Sequence, residues 1–587
     1  MRTPSLQYLY LQKPVTMVVI ICALSVLPWI GAGDFSTKGE PREAAVAISM
    51  LESGNWVLPE VYANEFAYTP PMAHWLMAAF SLPQGYVSEF TVRLPSALAF
   101  IILLGFTLFF FGERIKFQEA FIATLLLLTC FEIHRAGMTT QVYMLLTMFM
   151  VLGLYMLYRW ENRLQLKGLP VVIPLLLGCA ALTKGPVGII LPLFVFGVYL
   201  LILGKHRLPA ILKALLYIGV SSCFMPLIWY VAAWKQGGDA FLDVVLAENF
   251  GRFFHLSNPA IVYDIGHENG MWYNFVTLFA GFIPWTIFFF FSLFGLKFRW
   301  PGKPFVQVLK DSWASIRSMD KIKLFSLTAL VCILFFYSIP SGKQSVYLIP
   351  AYPFIAVFLA QYTIYITEYR TLVTRLFAGF LALIITAVLL VVAFTMAGMT
   401  DPVAIAGRYT DRASTLDTVR IVVSSFDSPY WLTIAILSVV VTALITVYYQ
   451  MRRKINIKML YATIFLVFSI NSVIDNIVMR GIREGSSSRP FAERILKEYP
   501  LNKGNTYVMN NLKQYLNLYG LNFYMKNIFH NFETDMPDTG YFFSGEKEME
   551  KVIHNYGDTY IFDILTCSEH PVGEIRQKIV LTGFTKK

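Results

Sequence analysis

Charge is scarce in this sequence. Asp, Glu, Lys and Arg make up 14% of its 587 residues, against 56% hydrophobic residues, and mean hydropathy is +0.56. A soluble domain of this length needs more charged surface than that, so the chain reads as a polytopic membrane protein. Cysteine is sparse as well. Of six cysteines, Cys22, Cys130, Cys179, Cys223 and Cys332 fall in or beside apolar runs, and Cys567 stands alone in the tail. This spacing gives neither a disulfide framework nor a zinc cluster. Glycine fingerprints for nucleotides are missing, and so is a local signature for Ser-His-Asp chemistry. A small-residue cleavage site is missing before Asp34, so the first apolar run is expected to be a retained signal anchor.

What the chain does have is apolar runs, about thirteen of them long enough to be spans. The formal net charge of +11 could suggest a nucleic acid partner. The basic residues instead form short clusters between apolar runs, as cytoplasmic loops do. Arg114/Lys116, Arg159/Arg163/Lys167, Lys205/Arg207, the 297–323 segment, Arg370/Arg375 and Arg452/Arg453/Lys454 are placed inside. Loops 34–91, 134–138, 183–185, 235–271, 340–345 and 399–428 and the tail from about 480 are then outside. The expected topology has a cytoplasmic N-terminus, a transmembrane domain over 1–480 with long outer loops 34–91 and 235–271, and a small outer α/β domain over 481–587. In the tail, NTYVMN, NFYMKN, GYFFSG, TYIFDIL and IVLTGF read as strands, and YLNLYG and EKEMEKVIHNY as helices.

Residues 34 to 75 hold the densest polar set in the front half. Pro41 fits a first helical turn, Glu40 and Glu43 flank it, and Ala44, Ala47, Ile48 and Leu51 recur at helical spacing before Gly54 supplies a stop. This predicts an amphipathic helix at the membrane surface with a carboxylate at its N-terminus. Glu40 beside Arg42 would stay ionised there, as a base or an orienting anion. On the outer face, Lys38, Arg42, Arg93, Arg135, Lys184, Arg252 and Lys343 could together bind a phosphate. Lys184 stands out because it lies between two apolar runs. Loop 235–271 carries Asp239, Asp243, Glu248, Asp264, His267 and Glu268, but His255 and His267 lack HxH or HExxH spacing. No metal ligand set is assigned, and a divalent metal stays an open alternative.

Several segments follow one another in a specific order: GEPR (39–42), SMLESGNWVLP (49–59), PPMAHWL (70–76), FTVRLPSALA (90–99), LTKGPVG (182–188), ENFGRFF (248–254), the 267–273 entry to the next span, GFIPW (281–285), SGKQSVYLIPAYP (341–353) and NSVIDNIVMRGIREGSSSRPFAE, which ends at Glu493. Over nearly the whole chain to about residue 495 this order resembles the lipid-phosphate-dependent glycosyltransferases of the GT-C type. The nearest branch is that of the lipid A aminoarabinose transferases, with the protein O-mannosyltransferases more distant. The resemblance implies a polytopic α-helical GT-C membrane protein of the bacterial inner membrane, monomeric, with a periplasmic site and a small periplasmic C-terminal domain. It implies inverting transfer from a polyprenyl phosphate-linked sugar, hexosyl or pentosyl, to lipid A or another envelope glycan. Glu40, or else Asp34, would act as base. Arg42, Arg93, Lys184, Arg252 and Lys343 would hold the donor phosphate, and His267 and Tyr347 would line the cavity. The chain departs from the family at three polar positions. Gly39 stands where the family has its catalytic aspartate, Thr69 where it has a donor-phosphate lysine, and Tyr143 near an expected acid. These departures keep a second reading in view, a non-catalytic binding protein or transporter of lipid-linked sugars. Polar residues gathered at one face rather than at the midplane favour an enzyme. An envelope oligosaccharide ligase or polymerase would share the donor chemistry.

Overall fold

The computed structural model describes residues 12–62, 65–162, 164, 171–246, 269–295, 302–340, 342–410, 413–426, 430–453, 456–510 and 515–587. Among these, eight helices are long and apolar enough to cross a membrane, from Glu89–Gly112 to Asn456–Gly485. Two further pairs pass only when taken together across a sharp bend, of 67° between Phe117–Thr129 and Phe131–Gly137 and of 101° between Tyr273–Gly281 and Trp285–Leu293. Pro14–Val26, Val172–Lys184 and Val187–Leu203 are apolar but shorter. The expected figure of about thirteen spans is therefore not confirmed by helix length. Apolar runs mark hydrophobic chain, and a run that bends mid-way or stops early need not be one straight span. The multi-pass helical membrane architecture itself is plain.

Two short helices lie between the first apolar helix and the Glu89–Gly112 span. Gly39–Ser53 ends on Gly54, whose φ of 68° is the left-handed closing geometry that glycine adopts without strain. Asn55 then turns the chain, its side-chain oxygen accepting from the N–H groups of Val57 and Leu58. Trp75 donates to Trp56 O at 2.7 Å and Trp229 to Val57 O at 3.0 Å. These bonds fasten the SGNWVLP segment to Met72–Ser81 and to the long Leu208–Leu246 helix. Strands β1 (Glu60–Val61) and β2 (Glu65–Phe66) form a small antiparallel ladder beyond it.

The tail carries a five-stranded sheet of β3 (Thr506–Val508), β4 (His530–Asn531), β5 (Thr539–Gly545), β6 (Tyr560–Cys567) and β7 (Ile579–Lys586), in the order β4-β3-β5-β7-β6. Successive side chains of a strand point to opposite faces. Phe542 accordingly joins an aromatic core with Phe532, Tyr560 and Phe584 under the Glu546–Tyr556 helix, while Phe543 and Leu581 join the main core of the molecule. The expected strands at 506–508, 540–545, 560–565 and 579–584 and the helix at 546–556 are present. NFYMKN is not a strand. Tyr519–Tyr524 is a helix, because Tyr519, Leu521 and Phe523 are buried together, with Tyr519 and Phe523 packing their rings on Tyr62 and Phe35. That docking holds the tail on the first loop. Phe35 N–H donates to the Tyr524 hydroxyl, which donates to Glu89, and Leu518 N–H donates to the Tyr62 hydroxyl.

Candidate active site

The N-terminal part of Gly39–Ser53 carries two carboxylates with different surroundings. Glu40 is 4% exposed. It accepts from Arg93 Nε at 2.9 Å and Nη2 at 3.2 Å, and from the Thr140 N–H at 2.9 Å. Arg93 is fully buried and also donates to the carbonyls of Ile30, Ala32, Gly33 and Asp34. Burial pushes the Glu40 carboxyl up, but the charges of Arg93 and Arg483 and the bonds from Arg93 and Thr140 outweigh it and leave it below the usual carboxylate value. This ion pair ties the start of the surface helix to a spanning helix and to the 30–34 turn. Neither partner meets open space, so Glu40 and Arg93 are not where a substrate-facing base and phosphate ligand were expected.

Glu43, one turn along, is the carboxylate that does reach the open side. Its side chain is 12% exposed and that of Arg42 53%. Arg42 Nη2 donates to Glu43 Oε1 at 2.8 Å, and His74 Nε2 lies 2.7 Å from Oε2. His74 is buried, and its Nδ1 has no partner among the described residues. An Nδ1–H held there would be an unsatisfied buried donor, so the arrangement favours the Nε2–H tautomer, donating to Glu43. Burial pushes the Glu43 carboxyl up, and the charge of Arg42 with the bonds from His74 and Arg42 more than reverse it, to far below the ordinary range. The same pair holds Arg42 firmly protonated. Sequence reading missed both Glu43, the partner of Arg42, and His74, the partner of Glu43. Glu43 was noted only as a helix-start acid, and His74 sits in PPMAHWL as one polar residue on an apolar helix. The signal available was the spacing of Glu43 from Gly39, four residues and so the same helix face.

The other predicted residues divide. Lys184 closes the Val172–Lys184 helix. Its ammonium lies 5.3 Å from the centre of the Tyr143 ring, and Tyr143 packs on Tyr347, which stacks on Tyr337. Lys184, Tyr143 and Tyr347 thus belong to one neighbourhood. Lys343 is buried, donating to Asn269 O at 3.2 Å while its own carbonyl accepts from the Asn269 amide. Asp34 pairs instead with Arg489 at the junction to the tail, at 3.1 Å. Burial raises its carboxyl above the ordinary value despite that partner. Arg252 and His267, with the rest of 247–268, lie outside the described residues. Among the described residues, no three His, Cys, Asp or Glu side chains gather where they could share a metal.

The described helices form a multi-pass membrane fold, and the comparisons show which proteins share it. Over 97% of this chain and 98% of the other, the fold superposes on ArnT from Cupriavidus metallidurans bound to undecaprenyl phosphate, with a TM-score of 0.66 at 15% identity. The apo form of that protein gives the same score. Residues 68–234 match the family model described as dolichyl-phosphate-mannose-protein mannosyltransferase. Proteins named undecaprenyl phosphate-alpha-4-amino-4-deoxy-L-arabinose arabinosyl transferase from Shewanella sediminis and Enterobacter sp. are each 25% identical, over 58% and 60% of this chain. The matched stretch spans 57% and 60% of those relatives' own length. The chain is thus similar to these transferases in sequence over part of its length and in fold over nearly all of it.

Proposed function

We propose that this protein is a membrane glycosyltransferase that moves a sugar from a polyprenyl phosphate-linked donor to an acceptor on the outer side of a bacterial inner membrane. The observation that carries the reading is the cluster at one end of the bundle. There Arg42 pairs with the Glu43 carboxylate and Lys184 lies over the ring of Tyr143, which packs on Tyr347, in a chain whose relatives are named for undecaprenyl phosphate-linked transfer. A leaving lipid phosphate gains charge as the sugar departs, and guanidinium and ammonium groups stabilise that charge. Arg42 and Lys184 take this role, joined by Lys343 and by Arg252. Tyr143 and Tyr347 flank the sugar. The Glu40–Arg93 pair is assigned to positioning the helix.

The donor sugar is a pentose or hexose, and the acceptor is lipid A or another envelope glycan. A cytoplasmic N-terminus, a transmembrane unit over 1–480 and a periplasmic domain over 481–587 fit the distribution of basic loops. The tail domain is docked on the first loop through Tyr519–Tyr524. The test is release of undecaprenyl phosphate by the purified full-length protein in nanodiscs, offered a panel of undecaprenyl phosphate sugars with extracted lipid A. Transfer from at least one donor is expected. Saturable donor binding without release from any donor would instead establish the binding or transport reading.

A further inference from the structure

Glu43 holds its two oxygens in unequal ways. Oε2 faces His74, which is buried in the Met72–Ser81 helix, whereas Oε1 faces Arg42, whose side chain is half exposed. A carboxylate capped by such an arginine is a poor proton acceptor while the cap is on, because the guanidinium stabilises the anion. A phosphate offers that guanidinium a stronger, bidentate partner. On the helical wheel Gly39 lies between Arg42 and Glu43, about 40° from Glu43, and a Cβ added at Gly39 meets nothing within 4 Å. The helix surface at Gly39, on the face between Arg42 and Glu43, is therefore open for a side chain to enter.

We propose that Glu43 is the carboxylate that takes the acceptor's proton, and that Arg42 caps it until the donor phosphate draws the guanidinium away. This rests on the transferase reading above. In the step, the acceptor oxygen forms a bond to the anomeric carbon, and the bond from that carbon to the phosphate oxygen breaks. The electron pair leaves with the lipid phosphate toward Arg42, and the acceptor's proton passes to Glu43 Oε1. His74 is a positioning residue, keeping Oε2 occupied so that Oε1 points to the acceptor. Donor binding and base activation become one event, and water meets a capped carboxylate in the donor-free protein.

The experiment uses the full-length protein in nanodiscs, with undecaprenyl phosphate alone as the binding probe and the donor panel for turnover. Glu43→Gln is expected to lose at least about 100-fold in turnover while binding undecaprenyl phosphate as tightly as the parent or several-fold more tightly, since Arg42 no longer has an anionic partner. Gly39→Asp added to Glu43→Gln is expected to regain part of the turnover, because the new carboxylate enters the same space from the preceding turn. His74→Gln should lower kcat with little change in KM for the donor. Turnover of Glu43→Gln within threefold of the parent overturns the inference while leaving the transferase reading intact. Loss of undecaprenyl phosphate binding in Glu43→Gln overturns it too, by making Glu43 a structural residue. Absence of release by the parent protein from every donor removes the transferase reading and this inference with it.

Discussion

Arg42 and Arg93 each bind a glutamate of the same helix, and their surroundings separate their tasks. Arg93 is sealed between Glu40 and four backbone carbonyls. Removing one member of a buried ion pair leaves the other charge uncompensated, at a cost of about 3–5 kcal/mol. Arg93→Ala should therefore lower the thermal midpoint in detergent sharply, a loss that differential scanning fluorimetry would register before any assay. Arg42 is half exposed, so Arg42→Ala should leave the thermal midpoint within a degree or two. It should still weaken undecaprenyl phosphate binding about tenfold or more in a scintillation proximity assay. If the two variants behave alike, the assignment of one arginine to structure and the other to ligand is wrong.

At the scale of elements, the hairpin between Val172–Lys184 and Val187–Leu203 decides where Lys184 stands. Gly185 turns the chain with a φ of 94°. Gly188 lies so close to the preceding helix that an added Cβ would come within 2.4 Å of the Ala180 carbonyl carbon. Backbone cannot give way as a side-chain tip can, so Gly188→Ala must push the helices apart, at about 1–3 kcal/mol for overpacking. The expected outcome is a lower thermal midpoint together with weaker undecaprenyl phosphate binding, as Lys184 shifts off the Tyr143 ring. Much of this element was legible beforehand. A glycine-proline pair after a lysine between two apolar runs reads as a tight turn. The helix stop at Gly54 and most of the tail strands were legible for the same reason, since turn chemistry and period-two burial are local. The Tyr519–Tyr524 helix was not, because its aromatic residues suit a strand equally well until Phe35 and Tyr62 supply partners.

For the whole molecule, the seam between the tail and the first loop carries a pH dependence. Glu574 accepts from the Gly520 N–H, and the neighbouring Gly573 N–H donates to Ser486 O. An added Cβ on Gly573 would meet Ser36 O at 2.6 Å. Burial pushes the Glu574 carboxyl up from its ordinary 4.5 to about 8, against the pull of that N–H and of Lys38. An acid raised on folding binds its proton more tightly in the folded state. Its contribution is therefore full below about 4.5, and it declines as pH rises toward about 8, by up to roughly 1.4 kcal/mol per pH unit. Thermal midpoints measured between pH 5 and 8 should fall with rising pH, and Glu574→Gln should flatten that slope. A slope unchanged by the substitution would place the pH dependence elsewhere.

The sequence alone determined the class of the molecule. Low charge and long apolar runs force a helical membrane protein, and local turn and cap residues set where most helices and strands begin and end. The ordered motifs carried the GT-C likeness. What the tertiary structure decided was which charges meet. Glu40 and Glu43 differ by three residues, hence by about 60° on the helix, and only the packing of that helix against Arg93 on one side and His74 on the other tells them apart. One became a buried anchor and the other the carboxylate at the open edge. Ion pairs between residues far apart in the chain depend on where whole helices dock, and no local pattern encodes that.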